Sequence, residues 1–414
     1  MKKIIIIEDS PIIIKILRHL AKKILQLPYV FADSFAQTKQ LLKNPSDYFA
    51  AIVDLNLPDA PNGEVVQYCL DKKLPVVVLT GSVDEDKRKK LFDLGVVDYV
   101  VKDGKYSYQF ALKLINQLQL NQNIKVMVVE DSKPARKHIV KLLSRLMFQV
   151  YEAEDGLEAL HIMQKQNDIK LLLTDYYMPN VDGFELIKQL RNKYEKNDLM
   201  IIGLSSASEK NVSAKVIKQG ANDFLSKPFI IEEFNCRVLA NTETMFMWHQ
   251  LQDMAYHDHL THLYNENYFI EHGHQFIEQA NSQGSHMSMV YLQLDHLLNI
   301  SEDYGDENYH HIIKSFAQGL SVRFKMFVCT RLSDATFGLL LPGINHNQAM
   351  TLIETFLEQM QEVVFEIEGQ EVMVQFSAGV SSDIERGFDK QLEIAVSRLH
   401  LAIENGRNQI KGEN

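Results

Sequence analysis

Short apolar runs, each ended by a polar or charged side chain, punctuate the first 240 residues. Ile4–Ile7 stops at Glu8-Asp9, Ala50–Val53 at Asp54, Pro75–Leu79 at Thr80, and Val97–Val101 at Lys102. Continuous rather than alternating hydrophobicity predicts parallel strands buried on both faces. The stretch from Pro11 to about Lys23 reads as a helix between the first two strands. The pattern then recurs. Val126–Val129 stops at Glu130-Asp131, Leu171–Thr174 at Asp175, Ile201–Leu204 at Ser205, and Asp223–Ser226 at Lys227. Each chemical side chain thus follows a strand, at the carboxyl end, where open parallel sheets bind ligands. Two acids, a lone Asp, a hydroxyl and a Lys appear twice in the same order, which makes chance a poor explanation.

The polar stretch around 119–124, with Asn121, Gln122 and Asn123, reads as a linker between the repeats. From Phe229 to about Tyr256 the chain lacks Gly and Pro and reads as helix. Its apolar residues, among them Phe234, Val238, Met245, Trp248 and Leu251, fit either core packing or a dimeric coiled coil. A third region, from about 257, has strand-like runs at Met287–Leu294, Phe327–Cys329, Phe337–Leu341 and Val372–Phe376. Helical runs lie near 267–281, 307–324, 346–362 and 388–405, an α+β or α/β alternation. The expected domains are 1–118, 124–240, a helical linker over 241–256, and 257–414.

Composition narrows the classes. A chain of 414 residues exceeds what one core usually supports. The formal net charge of −11 gives no electrostatic pull toward DNA or an anionic membrane. No apolar run approaches the roughly 20 residues that span a bilayer. Met1-Lys2-Lys3 followed by Ile4–Ile7 has the outline of a signal peptide, but the acid pair ends the run far too early. Cys69, Cys236 and Cys329 are scattered and odd in number, which fits neither a disulfide framework nor zinc and suggests a reducing cytoplasm.

The repeated constellation suits phosphoryl transfer to a carboxylate. A hard Mg²⁺ ion takes oxygen ligands, here Glu8, Asp9 and Asp54, and again Glu130, Asp131 and Asp175. Lys102 or Lys227 can pair with a phosphoryl oxygen, and Thr80 or Ser205 can hydrogen-bond it. Both repeats resemble receiver domains of bacterial two-component response regulators, which implies two flavodoxin-like (βα)5 folds. In the second copy Asp175-Tyr176-Tyr177-Met178-Pro179, then Asp182-Gly183, matches the phosphoacceptor loop, and Lys227-Pro228-Phe229 matches a turn that is usually cis in that family. In the first copy Asp54-Leu55-Asn56-Leu57-Pro58 is followed by Gly63, but Lys102 is followed by Asp103, so the Pro is missing. The resemblance makes Asp54 and Asp175 phosphoacceptors and places Tyr99 and Phe224 at the switch aromatic position. It implies a sensor histidine kinase or phosphotransfer protein as phosphodonor.

Asp258-His259-Leu260-Thr261-His262-Leu263-Tyr264-Asn265, Ser377-Ala378-Gly379-Val380 and Gly406-Arg407-Asn408 resemble signatures of GGDEF domains, the diguanylate cyclase family. The whole resembles PleD-type regulators, whose active members join two GTP into cyclic di-GMP. The signature itself has decayed. Arg331, Phe337 and Pro342 fix the register, so Ser333 and Asp334 take the two Gly places, Ala335 the metal-binding acid and Thr336 the following Glu. Ser333 and Asp334 are expected to close the space that the glycines leave for phosphates. By the same resemblance Gln293 replaces the other metal-binding Asp, Ser301 the guanine-contacting Asn, His310 its partner Asp, and Ile403 a phosphate-contacting Lys. Two-metal chemistry fails on neutral Gln and Ala. The expectation is therefore an output that acts through a downstream protein partner. A phosphorylation-gated diguanylate cyclase and a non-catalytic nucleotide sensor are the alternatives, and a homodimer is among the assemblies this architecture allows. His249, His257, His259, His262, His272 and His274 crowd the entry to the third region; without Cys or regular HxxxH spacing they read as surface rather than metal site.

Overall fold

The computed structural model describes residues 2–166, 168–206, 212–367 and 370–413, with the side chains of 212, 298–301, 303, 304 and 370 outside the description. The chain divides into two compact units, Met1–Met247 and Trp248–Asn414. No helix among the described residues is long and apolar enough to cross a membrane.

The first unit opens with β1 (Lys3–Ile7), α1 (Pro11–Ile24), β2 (Tyr29–Ala32), α2 (Phe35–Leu41), β3 (Tyr48–Asp54), α3 (Glu64–Asp71), β4 (Val76–Thr80), α4 (Glu85–Leu94), β5 (Asp98–Val101) and α5 (Lys105–Asn121). All five strands are parallel, in the order β2-β1-β3-β4-β5. Ile4 to Ile7 are fully buried, as the apolar run requires. Burying each such side chain contributes about 1.5–3 kcal/mol. A second set follows: β6 (Lys125–Val129), α6 (Lys133–Arg145), β7 (Gln149–Ala153), α7 (Gly156–Lys165), β8 (Ile169–Asp175), α8 (Gly183–Arg191), β9 (Met200–Ser206), α9 (Val212–Lys218), β10 (Asp223–Lys227) and α10 (Ile231–Tyr256). Its sheet repeats the order as β7-β6-β8-β9-β10. In both, the strand order reverses between the first and third strands, so a crevice opens at their carboxyl ends.

One apolar cluster runs through both halves of this unit. It includes Ile115 and Leu118 of α5, Leu142 and Leu143 of α6, and Phe234, Val238 and Met245 of α10. Polar ties cross the same seam. Asn121 Nδ2 donates to the Leu146 carbonyl at 2.9 Å, Arg145 Nη1 to the Phe92 carbonyl at 3.0 Å, and Asn235 Nδ2 to the Val97 carbonyl at 3.1 Å. The start of α10 is therefore core. Farther along, Met247 is exposed.

The second unit contains α11 (Glu266–Gln283), β11 (Met287–Leu294), α12 (Leu297–Arg323), β12 (Val328–Arg331), β13 (Thr336–Pro342), α13 (His346–Gln361), β14 (Val364–Ile367), β15 (Gln370–Met373), β16 (Phe376–Ser381), α14 (Gly387–Glu404) and β17 (Ile410–Lys411). Its five-stranded sheet runs β12-β13-β11-β16-β17, antiparallel except for the last pair. The strand expected over Val372–Phe376 is two strands. Its front half belongs to the β14–β15 hairpin, and the core strand begins only at Phe376.

Candidate functional site

In the first receiver-like half, β1 delivers Glu8 and Asp9, β3 delivers Asp54, β4 Thr80 and β5 leads into Lys102. Carboxylate oxygens of Glu8, Asp9 and Asp54 lie within 4.8 Å of one another. Lys102 Nζ donates to Glu8 Oε2 and to Asp54 Oδ2, each at 2.7 Å. Burial pushes the Glu8 carboxyl above its ordinary range, and the Asp54 charge adds to this against the pull of Lys102. Burial draws the Lys102 ammonium down, but its bonds to Asp54 and Glu8 outweigh that and leave it raised. Thr80 Oγ1 donates to the Ser82 carbonyl at 3.0 Å. The missing Pro after Lys102 does not displace the Lys side chain; Asp103 N–H closes the turn on the Val101 carbonyl at 2.8 Å.

The second half rebuilds the arrangement. Glu130, Asp131 and Asp175 form the acid cluster. Lys227 Nζ lies 2.5 Å from Glu130 Oε2 and 2.9 Å from Asp175 Oδ2. Burial again raises the Glu130 carboxyl. The Lys227–Pro228 bond is cis. Ser205 is fully buried and its hydroxyl has no partner, which leaves a donor free beside the acid cluster. Gly183 starts α8 against the loop that follows Asp175: a Cβ there would sit 2.1 Å from the Asp175 carbonyl oxygen. Phe224 packs half-buried on its domain's own core, whereas Tyr99 reaches across to α10, its hydroxyl 3.2 Å from Glu232 Oε1. The three-carboxylate donor sets fit a hard divalent cation. Among the described residues, clusters of three or more metal-capable side chains occur at these two places.

The second unit brings Gln293, Ala335 and Thr336 to one sheet end. Gln293 pairs with Thr336 across β11 and β13, and Leu294 N–H donates to the Ala335 carbonyl at 2.9 Å. Asp295, two residues on, is committed elsewhere. Its carboxylate accepts Ser377 Oγ at 3.0 and 2.9 Å and Asn408 N–H at 3.0 Å. Arg331 donates to both oxygens of Asp258, at 3.1 and 3.2 Å, and to the Asp334 carbonyl at 3.1 Å, while its Nε is buried without a partner. Asp258 is held below its ordinary range: burial raises it, but hydrogen bonds from Thr261 and Arg331 prevail. Ser333 and Asp334 do not close the space between the strands and helices. They line a cleft of about 430 Å³ with Asp258, Leu260, His310 and Arg331. The turn folds back on itself, with Leu332 N–H on the Thr336 carbonyl at 2.8 Å, and leaves the cleft open. Ile403 is half-buried on α14, and the side chain of Ser301 lies outside the described residues. Of the crowded histidines, His257 and His272 join a ring column with Tyr264 and Tyr268, with centroids 3.6–4.6 Å apart.

Sequence reasoning missed three features: the Asp295–Ser377–Asn408 knot, the unpartnered Nε of Arg331, and Glu232 against Tyr99. The first two lie inside motifs that were legible. The third joins residues with no local signature in common.

Comparison with known proteins agrees with this geometry. The family model for the response regulator receiver domain matches residues 4–108 and 126–238, and that for the diguanylate cyclase GGDEF domain matches 255–409. A chemotaxis protein CheY homolog of Campylobacter jejuni is 37% identical over 107 residues, 26% of this chain and 82% of its own length. A two-component response regulator of Oryza sativa is 32% identical over 103 residues, 25% of this chain and 49% of its own. A crystal structure of a putative two-component system response regulator/GGDEF domain protein is 42% identical, with a TM-score of 0.56, and covers 59% of this chain and 99% of that one. The receiver matches span more than half of the 414 residues, so the chain belongs to the response regulator receiver family, with two receiver domains followed by a GGDEF domain.

Proposed function

We propose that this response regulator accepts phosphoryl groups on Asp54 and Asp175 and signals through protein contact made by a GGDEF domain that no longer makes cyclic di-GMP. A histidine kinase or phosphotransfer protein would be the donor. The carboxylate of Asp54 or Asp175 attacks the phosphorus of the phosphohistidine, the P–N bond breaks, and the histidine leaves. Glu8, Asp9 and Asp54, and likewise Glu130, Asp131 and Asp175, would hold Mg²⁺, which offsets charge on the transferred group. Lys102 and Lys227 supply a second positive charge, already shared between the acceptor Asp and its neighbouring Glu. Thr80 and Ser205 donate to the bound group, Ser205 from a hydroxyl that has nothing else to bind.

The observation that carries the reading is the contrast between sites in one chain. Both receivers assemble three carboxylates and a Lys, whereas the GGDEF sheet end presents Gln293 and Ala335 and ties up Asp295. Incubating the full chain with acetyl phosphate, GTP and Mg²⁺ tests it; formation of cyclic di-GMP would overturn the non-catalytic part. A nucleotide-sensing role is the second reading, supported by the 430 Å³ cleft and the free Arg331 Nε beside it. Saturable GTP binding that is lost in Arg331→Met would favour it.

A further inference from the structure

Glu232, in the first turn of α10, belongs to the second receiver domain but faces the first. Its Oε1 accepts the Tyr99 hydroxyl at 3.2 Å and lies 3.4 Å from Arg88 Nε. Tyr99 stands on β5, the strand that leads directly into Lys102. Arg88 stands on α4, the helix that follows the Thr80–Ser82 loop. One carboxylate thus ties down the two elements that run out from the hydroxyl and the Lys of the Asp54 site. Asp98, beside Tyr99, is buried close enough for the Glu232 charge to act on it. Arg237, the next cation along α10, is already engaged by Asp223 and Glu233. One turn on from Glu232, the buried Asn235 side chain bonds the Val97 carbonyl, so the contact is anchored rather than incidental.

We propose that Glu232 is a positioning residue for phosphorylation of Asp54: it fixes β5 and α4 in their unphosphorylated arrangement, and a phosphoryl group on Asp54 loosens that hold. The proposal rests on Asp54 being a phosphoacceptor. To bond a phosphoryl oxygen, Thr80 must release the Ser82 carbonyl at the entry to α4, and Lys102 must leave its present position between Glu8 and Asp54. Both adjustments act on elements that Glu232 holds. Coupling of this kind is reciprocal, so whatever weakens the hold must favour phosphorylation. The second receiver domain thereby restrains the first, and phosphorylation of the first is felt at α10.

The test uses the full chain carrying Asp175→Asn, so that only Asp54 is labelled by acetyl phosphate. Glu232→Met keeps the side-chain length and removes both the charge and the acceptor oxygen. It should raise the initial labelling rate of Asp54 about fivefold, the lower end of typical site-to-site coupling. Tyr99→Phe should raise it similarly, and the double variant no further, because both remove one interaction. Amide exchange over residues 231–245 should quicken when beryllofluoride is added to the parent, and change little in Glu232→Met. Labelling at equal rates in parent and variant, or additive effects, overturns the proposal while leaving Asp54 a phosphoacceptor. Labelling in neither overturns both readings.

Discussion

At the scale of single residues, the receiver sites concentrate like charge out of water and offset it with one ammonium. Glu8 is fully buried, Asp54 nearly so, and Lys102 binds both. Removing one partner of such a set leaves an uncompensated buried charge, which typically costs about 3–5 kcal/mol. Lys102→Met should therefore lower the stability of the first unit by about 3 kcal/mol without divalent metal. Mg²⁺ should restore part of the loss, because it binds the same carboxylates; denaturant melts with and without Mg²⁺ read both effects. Asp98 makes a separate prediction. Burial pushes its carboxyl from 3.8 up to about 7, with the Glu232 charge adding and the Tyr99 N–H opposing. An acid raised in the folded state keeps its proton there after the unfolded chain has lost it. Stability is then fullest below pH 4 and falls as pH rises from about 4 to 7. Asp98→Asn removes that fall, so the variant should gain on the parent by about 4 kcal/mol across the window, at 1.4 kcal/mol per pKa unit. An unchanged difference between urea melts at pH 4.5 and 7.5 would show that Asp98 does not titrate in this range.

At the scale of elements, the same (βα)5 plan is closed twice by different local means. In the second domain, α8 begins so close to the loop after Asp175 that Gly183 has no room for a Cβ, with Asp175 backbone 2.1 Å from where it would lie. Gly183→Ala must push α8 off the loop, at the roughly 1–3 kcal/mol typical of overpacking. It should also slow labelling of Asp175 while sparing Asp54, which site-resolved mass spectrometry would show. Elements of this kind were legible because their residues answer to local rules. Ile4–Ile7 and Val126–Val129 are buried on both faces, so hydrophobicity alone marks them, and each acid stands out where a run stops. The edge strands β2 and β7 were not legible. Tyr29–Ala32 is apolar but only four residues long and mostly half-exposed, and Gln149–Ala153 mixes polar with apolar residues, so neither stands out as a buried strand. Val372–Phe376 misled for the opposite reason: one largely apolar stretch is divided between two sheets, with Val374 and Gln375 in neither. The Glu232–Tyr99 contact spans 133 residues and obeys no short-range pattern.

At the scale of the whole chain, one geometry of three carboxylates and a Lys is present twice, and the sheet end of the GGDEF domain presents a different set of residues. Resemblance supplied the site roles, but the balance of charge decides which sites can work. Each receiver brings a Glu, two Asp and a Lys to one strand edge. The third domain brings Gln293, Ala335 and Thr336 to its own, and spends Asp295 on Ser377 and Asn408. Phosphoryl groups should therefore accumulate on the protein rather than pass through it. Treated with acetyl phosphate and Mg²⁺, the intact chain should carry up to two phosphoryl groups by mass spectrometry. Asp54→Ala and Asp175→Ala should each carry one, and the double variant none. Cyclic di-GMP should not form in any of the four. Restoring Gln293→Asp alone should not start turnover, because a two-metal site needs both acids and the second position is still Ala335. Turnover by that single variant would mean that the catalytic metals are held by residues other than these.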